Sequence, residues 1–335
     1  MGEPIHADAI LAQLGEHWRM LAETGQTEVL RACAMTLLVH TEGPPSDPDL
    51  AGFLAAFELA HPARAIVVGR LEGAGRRVTA EVRARCRLAP GRRTQICSEQ
   101  IELGATEEAL ADLPPVVAGL TAADLPVVVW LRDPAALDPG PLAGLVSLGD
   151  KLILDSDALR DWRARLRRAR ALLARGAGLG DLAWARLTPW RSILAEAFHH
   201  PARKALLGAV ERIEVHHGGP LPAGAAYLAA WLRLLLPACP AATFVEVADG
   251  EGLCSARLHA QGLELALHRS QPRELELASA NELLCRQPDA PLLEELLAEE
   301  LALIGPGPGL RGRCRGCVEL RPGGTRRKSR VGIGD

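Results

Sequence analysis

Few polar residues in this chain have the spacing that catalysis or metal binding requires. His199 with His200, and His216 with His217, are adjacent pairs. Neighbouring side chains point to different sides of a helix or strand, so neither pair suits a shared metal ion. We therefore predict structural or surface histidines and no metal site.

Asp155 and Asp157 flank Ser156 at the end of a predicted strand. Ligands often bind at the carboxyl ends of strands in α/β sheets. Helix capping explains these residues equally well, because Ser156 and Asp157 precede a helical pattern over 158–175. That pattern carries seven arginines opposite its apolar stripe, and two interpretations stay open: a solvated surface and a site for an acidic partner.

The glycine-rich segments GRLEGAGRR and GAGLGD lack the strand, G-x-G-x-x-G and helix context of a dinucleotide site. The sequences G-x-x-x-x-G-K-[ST], G-x-S-x-G and H-E-x-x-H are also missing. The chain is therefore predicted to use no nucleotide cofactor and to lie outside these enzyme classes. We interpret GAGLGD, residues 176–181, as a flexible joint.

Eight cysteines stand among apolar neighbours without the spacing of a disulfide framework, so we expect reduced thiols. Cys314 and Cys317 form a C-R-G-C segment, in which neighbouring guanidinium charges favour the reactive thiolate. A zinc site would need a second C-x-x-C pair, which the sequence lacks. A redox-sensitive dithiol and an inert tail are the two interpretations of this segment.

The segment DLAWARLTPWR, residues 181–191, holds two tryptophans and two arginines within eight residues. Thr188 is predicted to be a helix N-cap, with Pro189 at the first helical position. The bulky residues fit either a core wedge with paired guanidinium groups or a hot spot that anchors a partner. The candidate partner-binding residues are Trp184, Arg186, Trp190 and Arg191.

The elements that must position these residues form an α/β fold with two layered domains. In the first half, apolar or alternating runs predict a mixed sheet of about six strands flanked by helices. The second half predicts a βαββββα order with an antiparallel-rich sheet. We expect domains at 1–155 and 156–305, followed by a basic flexible tail at 306–335.

Composition places the chain among ordinary soluble proteins, with 48% hydrophobic and 24% charged residues. It shows neither a signal peptide nor an 18-residue apolar stretch, so we expect a cytoplasmic protein without a membrane partner. Residues 310–335 hold eight Arg or Lys against two acidic residues, although the whole chain carries −3. The acidic body makes nucleic acid an unexpected partner, except through this tail.

DLAWARLTPWR resembles the D-L-x-W-x-R-L-T-P-W-R string of the OpcA family, the glucose-6-phosphate dehydrogenase assembly proteins. The resemblance covers residues 30–304 and leaves Cys314 and Cys317 outside. Five further segments agree with the family in the same order: HPAR (61–64), CSEQIEL (97–103), LPVVVWLRDP (125–134), LGDKLILDS (148–156) and LLEELLAEELALI (292–304).

The resemblance implies a non-catalytic assembly factor and allosteric activator in the oxidative pentose phosphate pathway. Such a protein binds glucose-6-phosphate dehydrogenase and favours its active oligomer. The resemblance implies no catalytic residues and no cofactor. The residues themselves leave an alternative open: an α/β sugar-phosphate-binding protein or enzyme, with an anion site near Asp155 and the helix that starts at Thr188.

Overall fold

The chain forms two compact units. The N-terminal unit contains the residues up to Asp155, Arg163–Gly180 and the last helix from Leu297, and the C-terminal unit contains Ser156–Trp162 and Asp181–Leu296. The computed structural model describes residues 5–23, 29–31, 33–88, 95–173, 176–199, 201–204, 207–236, 239, 241–260, 262–271, 273–279, 282–288 and 291–302.

An eight-stranded sheet forms the middle of the N-terminal unit, in the order β1-β5-β3-β2-β6-β7-β8 with β4 paired to β5. The β4–β5 pair is antiparallel, whereas β2 is parallel to both β3 and β6. The strands are β1 (Val29–Arg31), β2 (Met35–His40), β3 (Ala63–Arg70), β4 (Val78–Leu88), β5 (Gln95–Ala105), β6 (Val127–Leu131), β7 (Lys151–Leu154) and β8 (Gly178–Asp181).

The path from β5 to β8 follows the 3-2-1-4-5-6 order of a doubly wound dinucleotide-binding sheet. β2 is buried along its whole length, as expected of a parallel strand covered on both faces. The strand order reverses at β2, so the carboxyl end of β2 is the topological switch point. The helices of this part are α1 (Ala7–Glu23), α2 (Pro48–Phe57), α3 (Leu113–Leu120), α4 (Ala143–Ser147) and α5 (Trp162–Leu172).

The second sheet has six strands in the order β10-β9-β11-β12-β13-β14. β10 runs parallel to β9, and the remaining pairs are antiparallel. Its strands are β9 (Val210–Gly218), β10 (Ala242–Glu246), β11 (Gly252–Ala260), β12 (Leu263–Gln271), β13 (Glu274–Ser279) and β14 (Glu282–Pro288). The helices are α6 (Leu182–Ala185), α7 (Thr188–Ala197), α8 (Pro201–Lys204), α9 (Ala223–Leu235) and α10 (Leu293–Leu301).

The predicted fold class, mixed α/β with two layered sheets, is confirmed. Several details of the prediction were wrong. The first sheet has eight strands rather than about six, and the meander gains β14. β10 joins the sheet edge beside β9, because α9 between them makes a crossover that allows parallel pairing.

Segment 176–181 is not a flexible joint, because Gly178–Asp181 forms strand β8. Gly180 in this strand packs closely against a buried ion pair. A Cβ added to Gly180 would lie 2.5 Å from Glu300 Oε2 and 3.0 Å from Lys151 Cε. Lys151 Nζ and Glu300 Oε2 are 3.0 Å apart and almost fully buried, and Lys151 Nζ also donates to the Glu300 carbonyl.

A second buried ion pair joins β3 to β5. Arg64 Nε donates to Glu99 Oε2 over 2.7 Å, and Arg64 Nη1 donates to the Leu120 carbonyl over 2.8 Å. Trp18 Nε1 on α1 donates to the other Glu99 oxygen over 2.8 Å. One carboxylate therefore holds a strand and a helix together in the interior, where an unpaired charge is costly.

The expectation of reduced thiols was wrong for Cys97, which is disulfide-bonded in the structure. On the antiparallel β4–β5 ladder Cys97 stands opposite Cys86, and strand pairing of this kind leaves no framework spacing in the sequence. Cys33, Cys239, Cys254 and Cys285 are free thiols. Within the described residues, no helix is both long and apolar enough to cross a bilayer.

Replacing Glu99 with Ala should lower the free energy of unfolding by about 3–5 kcal/mol, because the Arg64 guanidinium would stay buried without its carboxylate. Glu81→Ala is the matched control, since Glu81 pairs with Arg83 on the same sheet but is exposed. The control should lose less than about 1 kcal/mol. Urea unfolding at neutral pH measures both, and equal losses would contradict the assignment.

Candidate functional site

The segment 181–191 forms the short helix α6 and the start of helix α7. Asp181 is the N-cap of α6, and its Oδ1 accepts from the Ala183 amide over 3.0 Å. The Leu187 amide donates to the Trp184 carbonyl over 3.1 Å, and the Arg191 amide donates to the Leu187 carbonyl over 2.9 Å. The chain therefore passes from one helix into the next without a loop.

Both tryptophans of this segment are buried, with Trp184 5% and Trp190 1% exposed. The Arg191 guanidinium lies 3.8 Å from the centre of the Trp184 ring, and that of Arg269 lies 5.8 Å from the Trp190 ring. These are cation–π distances within the C-terminal unit. In this conformation neither ring is accessible to a partner.

Arg186 is partly accessible to solvent. Its side chain is 35% exposed, and Nη1 lies 3.6 Å from Asp157 Oδ2. The structure thus brings Trp184 and Arg191 into contact, while Trp190 packs under Arg269 and Arg186 turns to Asp157. Partner binding through the four candidate residues stays a prediction.

Asp181 is the residue of this segment that the sequence interpretation missed. It is fully buried. Its carboxyl accepts from the amides of Ser156 and Ala183, each over 3.0 Å, and from Tyr227 Oη over 2.6 Å. Tyr227 is the only tyrosine of the chain. A capping residue directly before an apolar helical run was the available signal.

Burial raises the pKa of Asp181 to about 7, although the hydrogen bonds from Ser156, Tyr227 and Ala183 act in the opposite direction. Asp181 therefore changes charge near neutral pH inside the C-terminal unit. A buried carboxyl with a shifted pKa is often functional, but structural networks shift a pKa in the same way. Three elements depend on this group: the 156–158 turn, α6 and α9.

Asp157 does not cap the helix that follows it, contrary to the prediction. Residues Ser156–Ala158 form a 3₁₀ turn, and Asp157 Oδ1 instead accepts from the Gly224 amide of α9 over 2.9 Å. The α9 N-cap is Pro222, which supplies no capping side chain. The Gly224 amide, which has no acceptor within α9, therefore donates to a carboxylate that is distant in the sequence.

The loop that follows β2 is hydrogen-bonded to the end of β3. The Thr41 amide donates to the Val68 carbonyl and the Arg70 amide to the Gly43 carbonyl, each over 3.0 Å. A Cβ added to Gly69 would lie 2.4 Å from Gly43 O and 2.6 Å from Pro45 N. The loop backbone therefore lies against the end of β3.

Helix α2 begins at this loop, where a dinucleotide pyrophosphate would bind in this fold. Asp47 is its N-cap and accepts from the Asp49 amide over 3.0 Å, and Pro48 supplies no N–H. Arg132 Nη1 lies 3.5 Å from Asp47 Oδ2. Two carboxylates and a proline at the helix N terminus do not fit a phosphate.

His40 ends β2 beneath this loop. Its Nδ1 lies 3.3 Å from the Asp133 carbonyl oxygen. Burial lowers the pKa of His40 below its usual value, and the neighbouring Asp133 offsets that effect only in part. The switch point therefore holds a buried histidine enclosed by protein groups.

Residues 55–171 match the family model described as glucose-6-phosphate dehydrogenase subunit N-terminal domain, and residues 177–311 match the corresponding C-terminal domain. Together these two OpcA models cover more than half of the chain. The chain belongs to the OpcA family.

Two curated relatives of this OpcA-family chain are both called putative OxPP cycle protein OpcA. The protein of Synechocystis sp. is 30% identical over 176 residues, which are 52% of this chain and 37% of the relative. That of Nostoc punctiforme is 30% identical over 175 residues, covering 52% of this chain and 38% of the relative. The matches thus span less than two fifths of the relatives' length.

Among solved structures, an oxidoreductase from Sinorhizobium meliloti is similar at a TM-score of 0.42 and 11% identity, over 77% of each chain. A likeness of this degree supports no argument about function.

Four of the six segments that resemble OpcA proteins each contain one member of a buried ion pair. HPAR supplies Arg64 and CSEQIEL supplies Glu99. LGDKLILDS supplies Lys151, and the last helix supplies its partner Glu300. The family pattern therefore reports largely on internal pairing, and each pair lies within one unit.

The proposed anion site has little support at the start of α7. Leu187 rather than Thr188 is the N-cap, and no side chain caps the helix. Thr188 Oγ1 instead accepts from Arg191 Nη2 over 2.5 Å, and Pro189 lacks an N–H. Asp155 is partly buried directly after β7.

The remaining candidates are scattered. His216 Nε2 lies 3.4 Å from Glu214 Oε2, whereas His217 Nδ1 lies 3.2 Å from the Gly219 carbonyl oxygen. In the part of the chain that the structure describes, no group of three or more metal-ligating side chains occurs. His200, Cys314 and Cys317 lie outside the described residues.

Asp181→Asn should change how stability depends on pH. Between about pH 4 and 7 the unfolded chain has lost the Asp181 proton while the folded chain keeps it. The contribution of Asp181 to the free energy of unfolding therefore falls by about 1.4 kcal/mol per pH unit as pH rises, and levels off above pH 7. Asparagine does not titrate. Urea unfolding at pH 5, 6, 7 and 8 should show the wild type losing stability relative to the variant.

Tyr227→Phe is the companion variant, because it removes the hydroxyl that donates to Asp181. Without this donor the ionised carboxylate is less stable, so the fall should continue above pH 7. Parallel stability curves for the wild type and Asp181→Asn would show that Asp181 does not titrate in this range.

Proposed function

We propose that this chain is a non-catalytic partner of glucose-6-phosphate dehydrogenase, acting in the oxidative pentose phosphate pathway. It binds the dehydrogenase and favours its active oligomer. The observation that carries the proposal is the match of both OpcA domain models over residues 55–171 and 177–311. Their descriptions call such proteins subunits of that dehydrogenase.

The geometry of the N-terminal unit supports a role without dinucleotide chemistry. A doubly wound sheet binds its cofactor through backbone amides after the first strand of the unit. In this chain the Gly43 carbonyl accepts a hydrogen bond from the Arg70 amide. Asp47 and Pro48 lie at the N terminus of α2. The strand order therefore stands beside a helix N terminus that does not suit a phosphate.

A partner without catalytic groups acts through differential binding. If the chain binds the active oligomer more tightly than the dissociated form, it shifts the equilibrium by that difference alone. A coupling of about 1–3 kcal/mol changes occupancy or substrate affinity about 5- to 150-fold. An effect of that size needs only a few favourable contacts.

Mixing the purified chain with the dehydrogenase of the same cell should give a complex heavier than either protein. Light scattering after size exclusion measures the mass, and the initial rate over a range of glucose 6-phosphate concentrations should rise. The chain alone, given sugar phosphate and dinucleotide, should show no turnover. An equal concentration of serum albumin controls for unspecific stabilisation. Unchanged mass and rate would refute the proposal, and turnover by the chain alone would favour the enzyme alternative.

A further inference from the structure

Helix α5 carries five arginines and no acidic residue in its eleven positions, WRARLRRARAL. Its inner side is explained by packing, because Trp162, Leu166 and Ala169 are at most 4% exposed. The arginines flank this buried stripe. We call Arg165, Arg167, Arg168 and Arg170 the arginine surface of α5.

Two members of the arginine surface have a structural role. Arg165 Nη1 donates to the Pro134 carbonyl over 3.3 Å and also pairs with Asp138. Arg168 Nε donates to the Leu137 carbonyl over 3.1 Å. They bond carbonyls of the 3₁₀ turn Pro134–Leu137, as cations often do at the end of a helix.

The other two members are not explained by the fold. Arg167 is exposed and makes no hydrogen bond or ion pair with the described residues. Arg170 is exposed and donates to the Ala177 carbonyl over 3.4 Å, a long contact. Neither contributes a short bond to the N-terminal unit.

These arginines also cost helix stability. Arg167 stands four residues after Arg163 and three before Arg170, and like charges at these spacings repel on a helix surface. Gln or Glu at the same positions would form a helix equally well. The helix by itself therefore gives no reason for positive charge at 167, whereas Arg170 stands in the last turn, where the helix dipole favours a cation.

We propose that Arg167 and Arg170 form a docking site for an acidic patch of the dehydrogenase, an inference that rests on the proposed function. The guanidinium fork binds carboxylates through two parallel hydrogen bonds. The chain carries −3 overall, so this surface is a local positive region on an acidic protein. Such a body attracts an acidic patch locally and repels a long polyanion, which favours a protein partner over nucleic acid.

The test compares the wild type with Arg167→Glu/Arg170→Glu in binding to the dehydrogenase by surface plasmon resonance. We expect association at low ionic strength to be about tenfold slower or more. The dependence of the rate on salt should also weaken. Circular dichroism and thermal unfolding check that the variant stays folded, and Arg167→Gln/Arg170→Gln should give a smaller loss of the same kind.

The matched control is Arg233→Glu/Arg273→Glu, which makes the same change of charge at two exposed arginines of the C-terminal unit. This control should bind nearly as the wild type does. Equal weakening of both double variants would assign the effect to net charge and overturn the docking site. Unchanged binding of the α5 variant would overturn it and leave the proposed function standing.

Two further outcomes separate the proposals. No binding by the wild-type chain would refute the proposed function and this inference with it. If the chain binds a labelled DNA duplex more tightly than the dehydrogenase, and the α5 variant loses that binding, the surface belongs to nucleic acid and the inference is overturned.

Discussion

The constraint on which this structure depends is that a buried charge must have a partner. The Arg64–Glu99 and Lys151–Glu300 pairs are both almost inaccessible to water, and losing one member of such a pair costs several kcal/mol. The buried Asp181 carboxyl follows the same rule with three hydrogen-bond donors. These groups decide which strands and helices can lie together, and Gly180 has no side chain because one pair needs its space.

The same constraint accounts for part of the OpcA pattern. Four of the six segments that carry the resemblance each hold one member of the Arg64–Glu99 or the Lys151–Glu300 pair. Trp184 and Trp190 are also buried residues with internal partners, since they make cation–π contacts with Arg191 and Arg269. Arg167 lies outside this group, because it makes no hydrogen bond or ion pair with the residues that the structure describes.

The N-terminal unit illustrates that a fold does not carry a function by itself. The strand order is that of a dinucleotide-binding sheet, yet Asp47 and Pro48 stand at the N terminus of α2. Chemistry at a switch point depends on free amides at one helix N terminus.

The sequence alone determined the α/β class, the position of most elements and the family, because periodicity and short motifs are local properties. Only the tertiary structure decided that Asp157 caps α9 rather than its own helix, that β10 lies beside β9, and that Asp181 joins the 156–158 turn, α6 and α9. Each of these depends on a partner dozens of residues away, for which the spacing of residues along the chain carries no signal.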